Sequence, residues 1–313
     1  MVNSCGRAAG PAPILPPPAI EPNLYICGPT ASGKSSAALA IAEACGGEIV
    51  NADAFQLYRG LETLTAAPGP DDLARVPHHL YGRVAPGEAL DAGRYREMAL
   101  PVIEEIRNRG HLPVIVGGSG LYLKFLTHGP SPLPPADPGL RAELEALPLE
   151  ELNLRLEAAD PVEAARIDRN NPRYVQRALE ICLLAGRPVS ELRRSFAATP
   201  AGLRGILLEW SPAALEERIR TRTAAIVRRG ALEEVAALPA GSPTASKAIG
   251  VPEIRDHLAG RIDLPACEER IVVATRQYAK RQRTWFRRES WLTRVDGAAT
   301  PDELLAAVRG AGR

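Results

Sequence analysis

No apolar run in this chain approaches the length of a bilayer, so no membrane-spanning helix is expected. The five cysteines, Cys5, Cys27, Cys45, Cys182 and Cys267, include no C-x-x-C pair. They indicate neither a zinc site nor a disulfide framework, and reducing cytosol is the simplest compartment. The five histidines lack ligand spacing too, and the adjacent His78 and His79 would point apart on a strand. Net charge is missing as well: 38 basic and 37 acidic residues leave +1. There is no global pull towards nucleic acid, and such a role would need local basic patches. Lysine is scarce, with four against 34 arginines among the 38 basic residues. Codon bias explains most of this, but the survivors mark positions where a compact ammonium resists replacement by a planar guanidinium. Lys34 is the clearest, and Lys124, Lys247 and Lys280 follow by the same logic.

What is present begins with Gly28-Pro29-Thr30-Ala31-Ser32-Gly33-Lys34-Ser35, which fits G-x-x-x-x-G-K-[ST]. Glycines let backbone N–H groups close around phosphate oxygens. Lys34 adds a charge on the outer phosphates, and the Ser35 hydroxyl can hold Mg²⁺. Leu24–Cys27 reads as a buried strand before the loop and Lys34–Ala44 as a helix after it, which is the order such a loop requires. The motif predicts a bound diphosphate or polyphosphate without specifying ATP.

With 313 residues, 45% hydrophobic and 24% charged, the chain can bury a large core and hold two domains. The stretch through about Ile20 is rich in Pro and Ala, lacks the order of a signal peptide, and reads as a disordered tail. Leu24–Cys27, Glu48–Ala52, Leu112–Val116 and Gly205–Trp210 look like buried parallel strands. A helical pattern such as Tyr95–Arg109 separates them. This alternation predicts an α/β fold, a parallel sheet flanked by helices around a P-loop, with ligands beyond the carboxyl ends of the strands. The phosphate loop, Asp53 and Gly117-Gly118-Ser119-Gly120 would all open on that edge.

Gly129–Pro135 reads as a stiff linker. From there to about Ala201 the pattern is helical: Pro138–Leu147, Leu149–Ala158, Pro161–Asp168 and Pro172–Ala185. The expected division is therefore a core of residues 21–128 and 205–313 interrupted by an all-helical insertion at 129–204. After Ser211 the remainder reads as helical. No heptad or self-complementary stripe is present, which suggests a monomer.

Asp53 lies 19 residues after Lys34. Its carboxylate could bind Mg²⁺, cap a helix or act as general base, and its sheet edge favours a role facing the ligand. Arg218 and Arg222 share a helix face and could clamp a diphosphate, although a solvated basic face has the same spacing. Arg173 and Arg177 form a second such pair beside Asn170, Asn171 and Gln176. Thr275–Arg288 is rich in basic residues, contains no acid and carries interleaved aromatics, a pattern suited to phosphates and bases.

Together and in this order, the motifs resemble the tRNA dimethylallyltransferase (tRNA isopentenyltransferase) family. The matching stretches are Gly28–Ser35, Asn51–Gly60, Gly117–Tyr122, Asn171–Glu180, Lys247–Gly250 and Arg276–Phe286. The resemblance implies transfer of a dimethylallyl group from dimethylallyl diphosphate, held by the phosphate loop with Mg²⁺, to N6 of the adenosine 3′ of the anticodon. It implies Asp53 as base and Thr30 and Arg222 as partners of the diphosphate. It assigns contact with the tRNA anticodon stem-loop to Asp53, Ala54, Phe55, Gln56, Ser119, Arg141, Arg173, Tyr174, Val175, Gln176, Arg177, Lys247, Ala248, Ile249, Gly250, Lys280, Arg281 and Arg283. The helical insertion would grip the anticodon stem. The chain departs from the family pattern at Leu64, Ala67 and Val251, and altered substrate contacts are expected there. Competing readings are a P-loop kinase, an isopentenyltransferase acting on free adenylate, and an RNA-binding protein with a vestigial loop.

Overall fold

The computed structural model describes residues 23–130, 133–197, 200 and 202–310, without the side chains of 195–197. The expected tail through Ile20 lies outside the described residues. The core begins with β1 (Leu24–Cys27), α1 (Lys34–Cys45), β2 (Gly47–Asn51), the single turn α2 (Glu62–Thr65), α3 (Pro70–Arg75) and β3 (His78–His79). It continues through α4 (Ala92–Asn108), β4 (Leu112–Gly117) and α5 (Gly120–His128). Five helices follow: α6 (Pro138–Glu145), α7 (Leu149–Ala159), α8 (Pro161–Arg166), α9 (Pro172–Ala185) and α10 (Val189–Ala197). The chain then returns to the sheet with β5 (Arg204–Glu209) and leaves it through α11 (Pro212–Ile226), a π turn (Val227–Ala231) and α12 (Leu232–Ala237). A 3₁₀ turn (Ala245–Lys247), α13 (Val251–Leu258), α14 (Leu264–Phe286), β6 (Leu292–Asp296) and α15 (Pro301–Gly310) complete it.

Six parallel strands lie in the order β3-β2-β4-β1-β5-β6, with β1 paired to β4 and β5. Strand residues alternate between two cores, as the pleat requires. Tyr25, Val50, Ile115 and Leu207 face one, together with Tyr95, Leu123 and Phe286 from the helices. Leu24, Ile26, Ile49, Val114 and Ile206 face the other, covered by α1 and α15. Helices α6 to α10 bury a separate cluster that includes Leu152, Leu156, Val175 and Leu179. Helices α6, α8, α9 and α11 begin with a cap and then proline: Asp137-Pro138, Asp160-Pro161, Asn171-Pro172 and Ser211-Pro212. In each the cap side chain accepts a backbone N–H of the first turn.

The expectation that everything after Ser211 is helical is corrected by β6. It is an edge strand in which only Leu292 is fully buried, so its apolar signal is weak. The two-residue β3 also lacks such a signal, and its histidines do point apart. His78 Nδ1 meets the Val76 carbonyl at 2.8 Å, while His79 Nε2 meets Glu48 at 2.6 Å.

Glu48 sits near the start of β2, away from the loop-bearing edge, and is 2% exposed. Arg109 and His111 join His79 around its carboxylate. Burial alone would raise its pKa, but these hydrogen bonds outweigh that and bring it down to about 2. A carboxylate held below its unfolded value stabilises the fold above that value and loses the contribution as pH falls through the folded one. Glu48→Gln should therefore cost about 3 kcal/mol at neutral pH, and the gap to wild type should close between about pH 4.5 and 2. Urea unfolding across that range checks it.

Candidate active site

The phosphate loop follows β1 on the carboxyl edge of the sheet. Ala31 and Gly33 have φ of 64° and 89°, and this left-handed path turns the chain into the start of α1. A Cβ on Gly28 would lie 2.5 Å from Ser32 Oγ, so the loop closes tightly there. Ser32 is fully buried, and among the described residues its hydroxyl has no hydrogen-bond partner.

Other elements hold the loop in shape. Gln282, buried on α14, accepts the Thr30 N–H at 2.8 Å and donates its amide to the Gly118 carbonyl at 2.9 Å. It thus ties the loop after β1 to the loop after β4. Trp210, at the end of β5, donates its indole N–H to the Ser32 carbonyl at 2.9 Å. Arg218 donates to the Ala31 carbonyl at 2.8 Å and lies 4.4 Å over the Trp210 ring. The expected clamp of Arg218 with Arg222 is therefore divided: Arg218 braces the loop from outside. Only Arg222 enters the cleft, with Nη1 on the Thr30 hydroxyl at 3.0 Å and Nη2 on the Thr65 carbonyl at 2.8 Å.

Lys34 is 8% exposed. Burial pulls its pKa below the ordinary lysine value, the charge of Asp53 pulls it back up, and Arg222 pushes it down again. Arg222 is likewise lowered by burial and supported by Asp53. Two cations thus share one carboxylate. Asp53 accepts the Phe55 N–H on one oxygen at 3.1 Å and gives its own N–H to Asn51 at 2.8 Å. Its other oxygen makes no hydrogen bond among the described residues. The Ser119 hydroxyl accepts the Ala54 N–H at 3.0 Å. Burial, reinforced by the charge of Asp53, pushes the Tyr278 hydroxyl far up, so it stays protonated at the cleft wall.

Thr30, Asp53 and Arg222 supply polar groups to the lining of the cleft, and Leu64, Ile219, Ile226, Ile249 and Ile271 supply apolar ones. The arrangement suits a ligand with an anionic head and a short hydrocarbon body.

Of the residues expected to shape this site, Thr30, Asp53, Phe55, Arg222, Ala248 and Ile249 do line the cleft. Gln56 spends its amide on the Thr65 and Ala66 carbonyls. Gly250, with φ of 101°, packs on Leu64. Ser35 is exposed and opens onto a neighbouring cavity with Asp72, His78 and Tyr81. Lys247, Lys280, Arg281 and Arg283 are exposed, as are Arg173 and Tyr174 on α9, and Gln176 is partly buried. Arg141 and Arg177 both bind the buried Glu180. Val175 is fully buried in the cluster of the insertion and offers no surface to a partner, which corrects its assignment to tRNA contact. Gln282, Trp210 and Glu234 were missed. The spacing of Tyr278, Gln282 and Phe286 on one helix face was the available signal for Gln282.

Comparison with known proteins gives the family. The family described as IPP transferase matches residues 56–289. The chain belongs to that family. A tRNA dimethylallyltransferase of Akkermansia muciniphila is 43% identical over 91% of this chain and 97% of its own length. One from Phenylobacterium zucineum is 46% identical over 86% and 90%. Among solved structures, the full-length tRNA isopentenylpyrophosphate transferase of Bacillus halodurans has a TM-score of 0.67 at 32% identity, covering 93% of this chain and 95% of that one. A eukaryotic dimethylallyltransferase described as acting on tRNA reaches a TM-score of 0.74 at 27% identity, covering 88% and 74%. The IPP transferase match begins after the phosphate loop and Asp53, but the full-length relatives span both.

Gln282→Leu should leave the Thr30 N–H and the Gly118 carbonyl unpaired and destabilise the protein by about 2 kcal/mol. It should also weaken pyrophosphate binding about tenfold, because the loop loses its fixed shape. Denaturant unfolding and calorimetric titration with pyrophosphate check both.

Proposed function

We propose that this IPP transferase moves the dimethylallyl group of dimethylallyl diphosphate onto N6 of the adenosine immediately 3′ of the anticodon in tRNA. The observation that carries this reading is the mixed lining of the cleft. Arg222 enters it beside Asp53, which keeps a free carboxylate oxygen, the buried Lys34 feels the charge of both, and apolar side chains share the lining. An isoprenyl diphosphate matches both kinds of lining, and a nucleophile next to Asp53 would lie beside the base.

In the reaction, the bond from C1 of the dimethylallyl group to the diphosphate oxygen breaks as the N6–C1 bond forms. The departing diphosphate gathers charge, which Lys34, Arg222 and the Thr30 hydroxyl stabilise. Asp53 takes the N6 proton. The adenosine must leave its stack to reach the cleft. The exposed basic residues of α14 and the exposed Arg173 and Tyr174 on α9 suit the anticodon arm. Arg141 and Arg177, paired with Glu180, would order the insertion that carries them.

Mg²⁺ fits this donor set. Among the described residues no group of three or more His, Cys, Asp or Glu forms a metal cage. Ser35, exposed at the start of α1, offers one hydroxyl to an ion whose remaining ligands would come from diphosphate and water. Ser35 would hold it, and the bound ion would neutralise charge on the leaving group. Among the described residues no helix is long and apolar enough to cross a membrane.

The reading is tested with radiolabelled dimethylallyl diphosphate, Mg²⁺ and either unmodified tRNA or AMP. Label should enter tRNA and be lost in Lys34→Ala. Label in AMP alone, or ATP hydrolysis with no label in either, overturns the proposal. Asp53→Asn should lower single-turnover transfer about 100-fold or more while tRNA affinity stays within about twofold. Wild-type turnover in that variant would remove Asp53 as the base. Because burial holds Lys34 low, kcat/KM for dimethylallyl diphosphate should fall on the alkaline side at a pH below that of a free lysine, as the ammonium loses its proton. A steady-state pH profile of the wild-type enzyme reads this.

A further inference from the structure

α2 is one turn, and its N-cap residue, Leu61, offers no side-chain acceptor for the amides of that turn. The acceptor comes from far along the chain. Glu234, on α12, receives the Thr63 N–H at 2.6 Å on one carboxylate oxygen and the Leu64 N–H at 2.8 Å on the other. The opposite end of the turn is also fixed. The Thr65 carbonyl accepts from Arg222 at 2.8 Å and from Gln56 at 3.1 Å.

Arg222 lies on α11 and Glu234 on α12, two helices separated by a kink at Gly230, whose φ of 108° is not helical. Two consecutive helices therefore grip α2 at both ends. In return, α2 presents two groups to the cleft. The first is the Thr65 carbonyl, which orients Arg222 while its other nitrogen reaches Thr30. The second is the Leu64 side chain, 3% exposed on the apolar wall. Leu64 has little room, because a Cβ on Gly250 would come within 2.6 Å of it. A single helical turn has no stability of its own, so these contacts set where it lies.

We propose that Glu234 is a positioning residue: by capping α2 it fixes both the guanidinium of Arg222 over the diphosphate and the Leu64 wall that limits the length of the prenyl group. This rests on the transferase reading above for its activity readouts, but not for its binding and exchange readouts.

The test compares wild type, Glu234→Ala and Glu234→Gln in three measurements. These are hydrogen exchange of residues 61–66, calorimetric binding of inorganic pyrophosphate, and the kcat/KM ratio for dimethylallyl over geranyl diphosphate with tRNA. In Glu234→Ala, protection at 61–66 should be lost while the sheet stays protected. The pyrophosphate Kd should rise about tenfold and the dimethylallyl preference fall about tenfold. Glu234→Gln, which keeps one acceptor oxygen, should lie between. Wild-type Kd and preference in Glu234→Ala overturn the proposal. If the sheet of that variant also exchanges, Glu234→Gln decides, and unchanged values there overturn it. If wild type transfers nothing to tRNA, the functional reading falls, and exchange and pyrophosphate binding alone still decide the role of Glu234.

Discussion

Two cations enclosed beside a single carboxylate define this molecule. Lys34 and Arg222 repel each other, burial disfavours both, and Asp53 compensates only in part. An entering anion would balance the excess positive charge, which is the electrostatic basis of the proposal that a diphosphate binds here. On that proposal the arrangement would favour a leaving group over an intact substrate, since charge on the diphosphate grows as its ester bond breaks. Asp53 is restrained by Asn51 and Phe55, yet one oxygen stays open for a proton.

Such a site works only if its geometry survives the repulsion within it. The loop after β1 is therefore held from several directions: by Gln282 from α14, by Trp210 from the end of β5, and by Arg218 and Arg222 from α11. The glycines of the neighbouring loop are part of the same requirement. A Cβ on Gly117 would lie 2.2 Å from the Ala52 carbonyl, and one on Gly120 would lie 2.3 Å from Trp285. The helix whose outer surface is basic thus reaches the reaction centre through its inner face.

Much of this was readable from residues alone, for physical reasons. Strands buried on both faces write continuous apolar runs, and Leu24–Cys27 was bounded correctly by that signal. The Asn171-Pro172 cap fixed the start of α9 in the same local way. β6 and β3 were not readable because an edge strand two to five residues long has too few buried positions to show a period. The division of labour between Arg218 and Arg222 was hidden too. Spacing of four places two side chains on one face but says nothing about which turn of the neighbouring loop each will meet. Glu234 and Gln282 find partners 164 to 252 residues away, and no local pattern encodes a contact of that span.

The order of the strands also dictates when the site can exist. β1 lies between β4 and β5, yet β5 is translated only after the whole insertion, and the groups that shape the phosphate loop come later still. A chain emerging from the ribosome therefore carries Gly28–Ser35 through most of its synthesis with one neighbouring strand absent and its braces unmade. The insertion, which has a hydrophobic cluster of its own, is complete before the sheet can close. The brace that Gln282 gives the loop can form only once α14 has been made, late in the chain.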